Sequence, residues 1–294
     1  MKLRLGTRGS RLALEQARRV AEQIRKVSPG VGVGLVILKT TGDARSEFGD
    51  EIHSEVGEFS SALEKSLVED EIDAAVHSAK DLPARIHDSL TVAAYPERVD
   101  PRDAWVFKKG SQLPKGTRVG TESPRRRMFW TEKHPQAEFQ NIRGNVDRRM
   151  ERCLGEKDWQ GILLACAGID RLGGLLSGLE MERLDVEWMI PAPGQGALAV
   201  QCRKNDHRTF ELIQRLDDQH IRARVTAEKS FLQSWGGGCS ESLGAFAQIQ
   251  PNGTLHLRAG VRDLHGHPQR GSMEGPSNEG ELLGVRLAEE MRRG

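Results

Sequence analysis

The chain opens with KLRLGTRGS, a short alternating run, directly followed by SRLALEQARRVAEQIRKV, whose apolar residues Leu12, Leu14, Ala17, Val20 and Ile24 recur at helical spacing. Ser10 stands where a helix N-cap belongs. VGVGLVILKTTGD then reads as a second strand. A strand, a helix and another strand in this order form the unit of an α/β sheet, with parallel strands joined by crossovers. The pattern continues through SSALEKSLVEDEID and AAVHSAKDLP, and it restarts at TRVGTESPRRRMFWTEKHP, EFQNIRGNVDRRMERCL and WQGILLACAGIDRLG. Two proline-bearing joints interrupt it, PERVDPRD between two strand-like runs and PAPGQG before ALAVQCR. A chain with two such joints leaves one α/β domain, builds a second and returns to the first.

The expected fold is therefore α/β with three domains. Residues 1–98 and 197–214 form the first, and 103–190 form the second. Residues 219–294 form a smaller α+β domain. In that last part RARVTAEKSFLQSW reads as a helix, Pro251–Asn252–Gly253 as a hairpin turn and GELLGVRLAEEMRR as a closing helix. Two α/β domains joined twice enclose a cleft, and ligands of such sheets bind at the strand ends.

Among 294 residues, 43 Lys and Arg balance 42 Asp and Glu, which speaks against bulk nucleic-acid binding. No long apolar segment suggests a signal peptide or a membrane span. The four cysteines, Cys153, Cys166, Cys202 and Cys239, show no metal-finger spacing, so no metal site is expected and a reduced, cytoplasmic protein fits best. Only Cys239 has an unusual setting, directly after Gly236, Gly237 and Gly238. Three adjacent glycines are costly to order, so something must approach the backbone closely there.

The arginines cluster at the predicted strand ends: Arg8 after the first strand, Arg125, Arg126 and Arg127 after GTESP, and Arg143, Arg148 and Arg149 around GN. Ser123–Pro124 reads as an N-cap followed by proline at the first helical position, where free N–H groups already favour an anion. Arginines there add bidentate recognition of carboxylate or phosphate. Few aromatics accompany them, so a polyanionic small molecule fits better than a nucleic acid. Lys80 could hold an anion. Asp81 among these cations would stay ionised and suit a transient positive charge. His77 reads as a packed histidine.

LGTRGSRLALEQA, AVHSAKDLP, DPRDAW, VGTESPRRR, IRGNVDRRM, ILLACAGIDRLG, PAPGQGALAVQCR and GGGCS occur in the order seen in the hydroxymethylbilane synthase (porphobilinogen deaminase) family, which this chain resembles over residues 3–262. The resemblance implies two domains like periplasmic binding proteins and a monomeric transferase of tetrapyrrole and heme biosynthesis. It joins four porphobilinogen molecules head to tail into hydroxymethylbilane and releases ammonia at each step. The primer it implies is a dipyrromethane cofactor, held by a thioether to Cys239. Asp81 matches the family's catalytic aspartate. Arg8, Ser10, Lys80, Ser123, Arg125, Arg126, Arg143, Arg149 and Arg171 match positions that bind cofactor or substrate carboxylates. Gln16, Ser78, Thr121 and Gln195 match positions lining the site.

The match breaks at SEVGEFSSALEKS, shorter by about two residues than the family's lid, with Glu58 and Ser61 where lysines are usual. Lys65, one helical turn beyond Ser61, and Lys39 are the candidate replacements. Pro124 replaces a usual leucine, and CSES a Cys-Gln-Val-Pro type. The alternatives are a family member impaired by this lid, or a non-catalytic two-lobed binder of a polycarboxylate. The second would leave Cys239 and Asp81 without a purpose.

Overall fold

The computed structural model describes residues 1–38, 58–111, 118–236, 242–262 and 266–293. The first sheet runs β2 (Gly32–Leu38), β1 (Lys2–Arg8), β3 (Ala74–Ser78), β10 (Leu198–Arg203), β4 (Leu90–Ala94). β1 pairs in parallel with both β2 and β3, whereas β10 runs antiparallel between β3 and β4. The second sheet runs β7 (Glu138–Gln140), β6 (Arg118–Gly120), β8 (Gly161–Ala165), β5 (Asp103–Lys108), β9 (Leu179–Arg183). There β6 is parallel to β7 and β8, and β5 is antiparallel to β8 and β9.

The two sheets share one plan. Each holds a parallel trio and, as its fourth strand, an antiparallel one delivered by a joint from the other lobe. β5 follows PERVDPRD and β10 follows PAPGQG. This is the pair of α/β lobes with chain crossovers expected from the sequence. A third, antiparallel sheet of β11 (Leu243–Ile249), β12 (Thr254–Arg262) and β13 (Pro268–Pro276) is covered by two helices of the same C-terminal part.

Helix α1 (Arg11–Val27) buries Gln16, Ala17, Val20, Ala21 and Ile24, and the Ser10 hydroxyl accepts a hydrogen bond from the Ala13 N–H at 3.3 Å. Its apolar stripe fills one face of the first sheet together with α6 (His207–Gln214). Helix α2 (Glu58–Val68) covers the other face through Leu63 and Leu67. In the second lobe α3 (Pro124–Lys133) packs Met128, Phe129 and Trp130 on one face of the sheet. Helices α4 (Val146–Gly155) and α5 (Cys166–Arg171) cover the opposite face. Ser123 caps α3 with Pro124 in its first turn, as the sequence predicts.

Helix α7 (Gln219–Trp235) begins at Asp218, which accepts hydrogen bonds from the His220 and Ile221 N–H groups, and ends at Gly236 in the left-handed region (φ 82°). With α8 (Gly280–Arg293) it packs on the third sheet. Cys153, Cys166 and Cys202 are buried, and burial pushes each thiol up, to about 11, 12 and 11. They are packing residues at neutral pH. Cys239, Lys39 and the start of the lid segment, residues 54–57, lie outside the described residues, whereas Glu58 and Ser61 fall on the backbone of α2.

Candidate active site

Strand β3 ends in a 3₁₀ turn, Ala79–Asp81, that carries Lys80 and Asp81. The return joint holds this turn from one side. The Ala79 N–H donates to the Ala197 carbonyl at 2.9 Å, and Gly194 lies against Ala79 so closely that a Cβ there would stand 3.1 Å from the Ala79 carbonyl carbon. Gly194 also has φ +79°, so both space and backbone angle select glycine.

The cleft above the turn draws its walls from both lobes. Arg8, Ser10, Gln16, Ser78, Lys80 and Asp81 come from the first lobe, and Arg126, Asn145, Arg149 and Arg171 from the second. Gln195 of the return joint closes its floor. Apart from Gln16 in the second turn of α1, Gln195 in the return joint and Arg171 at the end of α5, each residue sits at a strand end or in the first turn of the next helix. Gln16 donates from Nε2 to the Ser78 hydroxyl at 2.9 Å, tying α1 to β3. His77 lines the same space, 6% exposed, and burial pushes its pKa down to about 4, so the ring is neutral at pH 7.

Five cations face one carboxylate among these lining residues: Arg8, Lys80, Arg126, Arg149 and Arg171 against Asp81, which is exposed to the cleft. Burial pulls the Lys80 ammonium down to about 8, with Asp81 opposing and Arg126 adding to the shift. Burial, with Arg126 next, pulls Arg149 down to about 10. Both remain protonated at neutral pH and present their charge in a partly dehydrated space, where an anion is held more strongly than in water.

The second-lobe arginines are set by a buried acid. Burial alone would raise the Asp103 carboxyl, but Arg125 and Arg126 overcome it and hold the group far below the usual carboxylate range. Asp103 accepts from Arg125 at 2.7 Å, Arg126 Nε at 2.9 Å and Gln195 Nε2 at 3.1 Å. Gln195 also donates to the Pro101 carbonyl at 2.8 Å, and two acceptors on one nitrogen fix its amide orientation. Its Oε1 is buried and accepts no hydrogen bond. Arg171 donates to Glu97 at 3.0 Å and to the Gly196 carbonyl at 2.8 Å, so it contacts both joints.

Four residues expected at the site do not line the cleft. Arg125 is 4% exposed and spent on Asp103 and the Ile190 carbonyl. Ser123 caps α3, and the Thr121 hydroxyl accepts the Ser123 N–H at 3.2 Å. Arg143 is exposed and pairs with Glu122 at 2.6 Å. Lys65, weighed as a substitute lid cation, also lies elsewhere: it is 71% exposed and faces Glu69 at 3.7 Å.

Sequence reasoning missed the acids that place the cations, Glu97, Asp103 and Glu228. Glu97 and Asp103 stand in or beside the PERVDPRD joint, where a polar residue reads as solvated loop. Glu228 looks like an exposed helical residue yet is fully buried.

Comparison with known proteins agrees with this geometry. Residues 3–211 match the family described as porphobilinogen deaminase, dipyromethane cofactor binding domain, and residues 222–293 match porphobilinogen deaminase, C-terminal domain. The porphobilinogen deaminase of Syntrophomonas wolfei is 39% identical over 97% of this chain and 94% of its own length. That of Roseiflexus sp. is 38% identical over 98% and 94%. The Thermus thermophilus protein is 38% identical over 98% and 94%. The two cleft walls and both joints fall within the first matched region and the small C-terminal sheet within the second, and the chain belongs to the porphobilinogen deaminase family.

Proposed function

We propose that this chain is a hydroxymethylbilane synthase: it condenses four porphobilinogen molecules head to tail, with loss of ammonia at each step, on a dipyrromethane thioether-linked to Cys239. The observation that carries the reading is the cleft beside the return joint in which, among the described residues, five cations line the same space as a single exposed carboxylate. Each porphobilinogen brings an acetate and a propionate, so the growing chain adds two negative charges per unit. Asp81 is the catalytic residue, and Arg8, Ser10, Lys80, Arg126, Arg149 and Arg171 receive carboxylates. Arg125, Ser123 and Thr121 support Arg126, and Arg143 stands at the rim. Domain limits of 1–98 with 197–214, 103–190 and 219–294 follow the joints. A monomeric, cytoplasmic enzyme with no nucleic-acid or membrane partner suits this chemistry. Among the described residues no helix is long and apolar enough to cross a membrane.

The residues present fit a dipyrromethane. Its carboxylates have the arginines and Lys80, and its pyrrole N–H groups have acceptors in Asp81 and the buried, unbonded Gln195 Oε1. When bound, that group supplies the nucleophilic pyrrole carbon from which the chain grows. Asp81 stabilises the cation left when porphobilinogen loses ammonia, and it accepts the proton released after carbon–carbon bond formation. Neutral His77 adds no charge to compete with it.

Intact mass of the purified protein tests the reading. Wild-type protein carries an excess equal to two linked pyrrole units, and Cys239→Ser lacks it. A bare polypeptide mass after incubation with porphobilinogen, with no substrate consumed, would count decisively against the proposal.

Lys80 gives a second expectation. Its folded-state pKa of about 8 lies below the ordinary lysine value. An anion binds the protonated form, so affinity for porphobilinogen falls as pH rises through 8. KM is expected to climb above that pH in wild type and to stay flatter in Lys80→Arg. A KM independent of pH between 7 and 9.5 in wild type overturns it.

A further inference from the structure

We infer that Lys229 is a positioning residue for Asp81, coupling helix α7 to the turn that carries the catalytic carboxylate. The inference rests on the function proposed above. Lys229 is half-buried on α7 and donates from Nζ to the Leu82 carbonyl at 2.6 Å, one residue beyond Asp81. Leu82 itself is 3% exposed and packs with Ile221 and Val225 of the same helix.

The turn is therefore clamped from two sides. The return joint grips its start through the Ala79 N–H and Gly194, and α7 grips its end through Lys229 and the apolar contact of Leu82. Asp81 lies between the clamps, and its side chain is exposed to the cleft rather than anchored by burial. Its position then depends on the backbone that carries it. The same helix runs on to Gly236, three residues before Cys239. Lys229 thus fixes the distance from the catalytic turn to the helix that leads into the cofactor-bearing segment.

A charged donor on a carbonyl is a strong choice for such a clamp, because charge-assisted hydrogen bonds are shorter and stronger than neutral ones. Methionine keeps the length and the apolar stem of lysine but removes the donor. Misplacing a reacting group by about 1 Å can cost on the order of 100-fold in rate.

The test compares wild type, Lys229→Met and Lys229→Arg by steady-state kinetics, intact mass and hydrogen exchange at the amides of residues 79–82. In Lys229→Met, kcat is expected to fall at least about tenfold. KM for porphobilinogen should rise by less than kcat falls and the pyrrole mass excess stay unchanged, since of the carboxylate-binding cations only Lys80 shares the turn. Exchange in the turn should accelerate, and Lys229→Arg should recover most of the lost kcat. If the Met variant does not fold, Lys229→Leu, which also lacks the donor, takes its place. A kcat within twofold of wild type, or no recovery with arginine, overturns the inference. The exchange measurement separates the two proposals: a wild-type protein that ignores porphobilinogen defeats the proposed function, whereas unchanged exchange in the variant defeats the role of Lys229.

Discussion

Asp81→Asn should abolish most turnover while leaving the protein folded. The carboxylate is the sole negative side chain among the described residues lining the cleft, and none of those neighbours can replace it. Two unit charges about 4 Å apart at an effective dielectric near 20 interact by about 4 kcal/mol, which corresponds to roughly 10³ in rate. Asparagine keeps the shape and a carbonyl dipole, so a loss on the order of 10²–10³ in kcat is expected. Folding should change by no more than about 0.5 kcal/mol, because Asp81 is exposed and the exchange is isosteric. Single-turnover release of ammonia from porphobilinogen checks the rate, and thermal melting checks the fold. A variant that retains a tenth of wild-type kcat would remove Asp81 from the chemistry.

Much of this was legible before any coordinates. Strand–helix alternation gave the two α/β lobes, because a 3.6-residue period following a strand has few other uses. Ser10 and Ser123–Pro124 marked helix starts through backbone chemistry alone. The joints were visible because proline and charged residues cannot continue a buried strand. Three elements escaped. In β9, Leu-Glu-Met-Glu-Arg alternates but is too short and charged to stand out from a loop. α6 follows β10 through a single polar turn, so the two read as one tail. β13 contains two prolines and two glycines, a composition that argues against a strand. Its Gly271 is there because Met291 of α8 comes so near that a Cβ would stand 2.7 Å from it.

The candidate site was legible in its cations and illegible in its anions. Arginines at strand ends draw notice because they are rarely placed there without a partner. Which of them faces ligand is decided by acids distant in sequence. Asp103 keeps Arg125 inside while Arg126 still reaches the cleft, and Glu97 holds Arg171 against both joints. No local pattern announces a pairing between residues 22 or 74 positions apart. Tertiary burial, which converts a solvated acid into an organiser, is not a property of a sequence window.

Glu228 carries the largest expected cost to stability. Its side chain is fully buried and accepts four hydrogen bonds: from Arg98 at 2.8 and 3.1 Å, from the Gly194 N–H at 2.7 Å and from the Ala247 N–H at 2.8 Å. Arg98 belongs to the first joint, Gly194 to the return joint and Ala247 to the third sheet, so one carboxylate ties three parts of the chain. Glu228→Ala leaves Arg98, 2% exposed, as an unpaired buried charge, a loss of about 3–5 kcal/mol. Each orphaned N–H adds about 1–3 kcal/mol. The sum approaches the whole stability of an ordinary domain, about 5–15 kcal/mol, so the variant should be insoluble or melt more than about 10 °C below wild type. Glu228→Gln retains an acceptor and should fall between the two. The double variant Arg98→Met, Glu228→Met should melt above Glu228→Ala, because it removes the stranded charge along with its partner. Thermal melting of all four proteins decides it: a drop of less than about 3 °C in Glu228→Ala, or a double variant no better than the single one, would show that the joints are held by something other than this ion pair.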